Sequence, residues 1–119
     1  MELKHIDDVP ATEVAAGSAT SMQVLISDEE GPNFALRRFI MQPGGGMPLH
    51  TNAVEHEQYV LRGRARIVVG DEKFEVGAGN TYLIPAGVPH SYESVGEEPF
   101  EFLCAVPNRP DAVEILESD

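Results

Sequence analysis

The chain has 119 residues, 42 % hydrophobic and 24 % charged. That is the make-up of one soluble domain with room for one core. Twenty acidic residues against eight basic ones give a formal charge of −12, which sets the surface against nucleic acid and anionic membrane as partners.

Taken in chain order, residues 1–20 read as an N-terminal arm. They are small and polar around Ala11–Thr20 and offer little to bury. Such an arm is either mobile or laid across a partner subunit. The first ten residues lack the basic and apolar regions of a signal peptide, and no apolar run nears the ~18 residues of a membrane span. The expected location is the cytoplasm.

Residues 21–108 read as a β-barrel. Runs rich in β-branched and aromatic residues recur at 22–27, 34–41, 57–62, 64–69, 72–76, 81–84, 89–94 and 99–106, each a candidate strand. Turn signals stand between them at Gly31-Pro32-Asn33, Pro43-Gly44-Gly45-Gly46, Gly63, Gly70-Asp71, Gly77-Ala78-Gly79 and Pro85-Ala86-Gly87. Many short strands in one small domain predict an all-β sandwich or barrel. Only Asp111–Leu116, in the tail 109–119, has spacing that suits a helix.

Four histidines occur, at positions 5, 50, 56 and 90. Residues two apart on a strand share a face, so His50 and Asn52 project together. His56 opens the next strand after a short turn. His90 opens a later one, after the proline-rich turn. Inward residues of neighbouring barrel strands meet in layers, which makes His50, His56, His90 and Asn52 a candidate metal site.

The spacing is also that of a family. Gly44, five residues, His50-Thr51-Asn52, three residues, His56, six residues, Gly63 forms one segment. Gly79, five residues, Pro85-Ala86-Gly87, two residues, His90, three residues, Ser94 forms the other. Together they resemble the two motifs of the cupins, over roughly residues 34–106. The resemblance implies a small double-stranded β-helix, or jelly-roll barrel. Around Glu55-His56-Glu57 the chain is similar to small manganese-binding cupins that use four histidines. Measured against that group, it keeps three and has Asn52 in place of the fourth. Asn52 then coordinates directly, holds a bound water, or leaves the position open.

Three imidazoles suit one divalent transition metal, with Mn or Fe first and Zn, Ni, Cu or Co as further candidates. Open positions on such an ion favour catalysis over a structural role. Tyr92 shares the parity of His90. A solvent-facing Glu101 turns Phe100, Phe102 and Cys104 inward, so Tyr92, Phe102 and Cys104 are candidate substrate contacts. The sole cysteine, Cys104, reads as a buried small hydrophobe. The strand 34–41 cannot be oriented from sequence, and no inward arginine can be placed. The expected pocket is therefore apolar and fits a small, partly aromatic or enol-like molecule better than a sugar phosphate. Two functions stay open: a metal-dependent oxygenase or related lyase or isomerase, and a non-catalytic module binding a small molecule or a metal. A homodimer is expected, with the arm adding a strand to its neighbour.

Overall fold

The computed structural model describes residues 3–116. A 3₁₀ turn at Ile6–Asp8 leads into β1 (Thr12–Glu13), β2 (Ser18–Ile26), β3 (Phe34–Asn52), β4 (His56–Arg62) and β5 (Arg64–Val69). There follow β6 (Glu72–Gly77), β7 (Thr81–Ile84), β8 (His90–Val95), β9 (Phe100–Pro107) and β10 (Val113–Ile115). The main strand order is β6-β5-β8-β3-β9-β4-β7, and each pairing is antiparallel. The curled sheet is the expected all-β jelly roll.

β3 is the spine, and its partners change along its length. Phe34–Met41 pair with β9 on one side and largely with β2 on the other. Gly46–His50 pair with β8, and His50–Asn52 with β10. One strand thus belongs to both halves of the curled sheet, and its far end carries His50 and Asn52 to the mouth.

Alternation along the strands fills the inside. On β4, His56, Gln58 and Val60 are buried while Glu57, Tyr59 and Leu61 are exposed. β8 turns His90, Tyr92 and Ser94 inward, and β9 turns Phe100, Phe102 and Cys104 inward. Met41, Val60, Ala65, Ile67, Phe100 and Phe102 form the dry part of the core. Burying each large side chain contributes about 1.5–3 kcal/mol.

Several expectations change. Pro43–Gly46 is not a turn, because β3 runs through it. The glycines are there for closeness: a Cβ on Gly46 would stand 2.0 Å from the Tyr92 carbonyl oxygen, and one on Gly45 2.5 Å from that of Ser18. Asp111–Leu116 is not a helix. Its middle pairs with β3 as β10, since a three-residue strand leaves too short a pattern to separate the two periods. Glu101 is 6 % exposed rather than solvent-facing. It points away from the core, yet Arg38 and Arg62 close over it as ion-pair partners. The arm does not stand free either: β1 pairs with β2 of its own chain, and Gln23 donates to the carbonyls of Ile6 and Val9.

Candidate metal and ligand site

One end of the barrel holds a cavity of about 240 Å³. His50, Asn52, His56, His90, Tyr92 and Phe102 all line it, so six of the seven expected site residues meet there. Cys104 is not among the lining residues. It is fully buried behind them, with its Sγ 3.4 Å from His56 Nδ1.

The histidines are held from behind. His50 Nδ1 lies 2.7 Å from the Pro48 carbonyl oxygen, and His90 Nδ1 lies 2.9 Å from that of Val88. A carbonyl only accepts, so each Nδ1 carries the hydrogen and each Nε2 keeps its lone pair. The two rings sit with centroids 4.1 Å apart, and His56 is 6.4 Å from His90. Burial pushes both His56 and His90 down to about 4, and the Arg37 guanidinium adds to the shift at His56. Neutral imidazole is the form that ligates a metal.

An aromatic wall backs the histidines. Phe102 stacks on Phe39 at 5.1 Å and on Tyr92 at 5.4 Å, nearly parallel in both cases. The Tyr92 hydroxyl donates to Gln58 Oε1 at 3.0 Å, and the Gln58 amide donates to Cys104 Sγ at 3.5 Å. Burial pushes the Tyr92 phenol and the Cys104 thiol up, so both stay protonated at neutral pH.

Three polar residues join that the sequence reading did not supply. Arg37 shares the parity of Phe39 and Met41 on β3 and turns into the cavity, which corrects the expectation of a pocket without arginine. It packs over the Phe39 ring at 5.3 Å, and its buried Nε has no hydrogen-bond partner among the described residues. Gln58 lies two residues beyond His56 on the same face, a signal of parity that was open to view. Asp111 arrives from the segment before β10, and nothing local in the sequence marks it.

Residues 37–106 match the cupin domain family. The chain belongs to the cupins. Its relatives include an uncharacterised protein of Methanocaldococcus jannaschii, MJ1618, 35 % identical over 91 residues, or 74 % of this chain and 73 % of that one. This cupin is also similar to the polyketide cyclase RemF of Streptomyces resistomycificus. The two share 33 % identity and superpose with a TM-score of 0.89, over 100 % of this chain and 87 % of that one. Oxalate decarboxylase OxdC of Bacillus subtilis is 34 % identical over 76 residues, 60 % of this chain but 20 % of its own length.

Cupins often bind a metal, and the donor set here suits one. Within that set, His56 Nε2 and Asn52 Oδ1 are buried polar atoms with no hydrogen-bond partner among the described residues. Leaving such atoms unmade costs ~1–3 kcal/mol each, a cost that an ion or its water would remove. As they stand, no three His, Cys, Asp or Glu side chains among the described residues form a ready-made cage.

Proposed function

We propose that this cupin is a metal-dependent, oxygenase-like enzyme acting on a small organic molecule, with one divalent transition metal, Mn or Fe first, on His50, His56 and His90. One observation carries the reading: three buried imidazoles line one cavity, each with its Nδ1 engaged from behind. Similarity to two enzymes, a polyketide cyclase and an oxalate decarboxylase, supports it. When bound, the ion supplies open positions for a chelating substrate, water or dioxygen.

The chain's own groups supply the rest. Phe39, Phe102 and Tyr92, stacked on one another, form an apolar wall beside which an aromatic or enol-like ligand fits, and they keep water from it. Arg37, which lines the cavity, supplies a positive charge for an anionic group on that ligand. The cavity, at about 240 Å³, is below the usual range for drug-sized ligands, which limits the substrate to a small molecule.

Elemental analysis of the purified protein beside a His56→Ala variant tests the site. About one metal per chain, lost in the variant, is the expected result. Manganese or iron then directs the search to oxygen uptake on small chelating acids and enols. A wild type without metal, and unable to take up Mn, Fe, Ni or Zn on dialysis, overturns the reading. The second reading, a non-catalytic binding module, is favoured by Asn52 standing where the four-histidine group has an imidazole, since one imidazole fewer weakens the hold on a metal. It predicts binding of a chelator with no turnover.

A homodimer and a cytoplasmic location complete the proposal. Because β1 pairs within its own chain, the candidate dimer face is the outer side of β4 and β7. Tyr59 and Leu83 stand 45 % and 49 % exposed there, beside a groove lined by Leu36, Leu103 and Ala105. Light scattering that gives a monomer at micromolar concentration removes the dimer.

A further inference from the structure

We infer that Asp111, from the C-terminal segment, is a ligand to the metal, a carboxylate serving where the four-histidine arrangement has an imidazole at position 52. The inference rests on the reading that the histidine cluster holds a divalent ion, and it adds a residue that neither motif contains. Its basis is a convergence of three elements. β10 pairs with the end of β3, with Val113 opposite Asn52 and Ile115 opposite His50, and the Leu116 amide donates to the Leu49 carbonyl at 2.8 Å. That pairing draws the chain just before β10 across the cavity mouth, where Asp111 lines the same cavity as the histidines.

The carboxylate is fixed there. Its Oδ1 accepts from the Ala53 amide at 2.7 Å, and its Oδ2 accepts from Asn52 Nδ2 at 3.2 Å. A carboxylate has about four lone-pair sites, so two remain. Oδ2 stands 4.0 Å from His56 Nε2, too far for a hydrogen bond. Two donors bonded to one ion at ~2.1 Å lie roughly 3 to 4 Å apart, and this pair falls at the top of that span. His56 Nε2 and Asn52 Oδ1 border the same space, both buried and both without a partner among the described residues.

The arrangement gives Asn52 a different part from any expected of it. Its amide N–H₂ grips Asp111 Oδ2, which makes it a positioning residue for the carboxylate. A negative oxygen is also the stronger donor for a hard divalent ion than a neutral amide oxygen. Three imidazoles and one carboxylate then surround the ion, with the carboxylate offsetting part of its charge.

Cobalt(II) titration of the metal-free full chain tests this, read by calorimetry for affinity and by visible absorption for the ligand set. Wild type is compared with Asp111→Asn and Asn52→Ala. The Asn side chain at 111 is isosteric and still accepts from the Ala53 amide. The expected result is a loss of about tenfold or more in cobalt affinity for Asp111→Asn, with a changed visible spectrum. Asn52→Ala is expected to weaken binding while keeping the wild-type spectrum. Wild-type affinity within twofold and an unchanged spectrum in Asp111→Asn overturn the inference and leave the histidine site standing. The reverse pattern, with the spectrum changed by Asn52→Ala and not by Asp111→Asn, also overturns it and makes Asn52 the ligand. A wild type that takes up no cobalt overturns the metal reading itself, and the inference with it.

Discussion

His56 and His90 are bases kept neutral by burial, and that makes the metal-free protein sensitive to acid. In the unfolded chain each imidazole takes its proton near 6.5, whereas in the fold each holds out to about 4. The unfolded state therefore binds more protons across that window. Stability is full above pH 6.5, falls as pH drops toward 4, and the loss then levels off. Each group contributes on the order of 3 kcal/mol to the total drop. Urea melts at pH 7, 5.5 and 4.5 are expected to show it, and flat midpoints across the window would mean that both rings charge freely in the fold. At this scale much of the site was readable beforehand. A strand's two-residue period puts His50 with Asn52 and His90 with Tyr92, and their motif spacing adds a second signal. Arg37 was hidden because the strand 34–41 gives no sign of which face is inside: Arg37, Phe39 and Met41 alternate with Leu36, Arg38 and Ile40, and both sets mix apolar with cationic residues. Asp111 was hidden for a deeper reason. Its partners, Asn52 and Ala53, lie 59 and 58 residues away, and only the folded chain makes them neighbours.

Among the elements, β3 bears the most. It joins both halves of the barrel, and it passes Tyr92 on β8 so closely that residue 46 has no room for a side chain. Gly46→Ala is expected to push β3 away from β8 and to destabilise the fold at the upper end of the ~1–3 kcal/mol that overpacking costs. The same shift parts His50 from His90, which face each other across that pairing, so metal affinity should fall with stability. A denaturant midpoint unchanged by the substitution would show that the strands give way cheaply. The strand positions were mostly legible, since hydrophobic alternation and Gly or Pro punctuation agree for β4 through β9. The two misreadings have one cause. Composition describes what a segment does alone, and both Pro43–Gly46 and Val113–Ile115 take their form from a neighbour. Glycine-rich backbone looks like a turn until a second strand needs to pass within van der Waals distance of it.

For the whole molecule, the charge of −12 means that like charges crowd as the chain compacts. Salt screens that repulsion over about 10 Å at 0.1 M. The melting temperature is therefore expected to rise between 20 mM and 500 mM sodium chloride, and a fall would mean that ion pairs such as Arg38–Glu101 outweigh the net repulsion. The overall fold needed little beyond the sequence, because a small domain of short strands has few ways to close. The single sulfhydryl lends the closed barrel one more property. Cys104 has 0 % of its surface exposed and sits on β9, between β3 and β4. A thiol reagent in solution reaches it only when the packing around the cavity opens. The rate at which a coloured disulfide labels the native protein is then a stopwatch for how often the barrel breathes, and anything that ties its mouth shut should slow the clock.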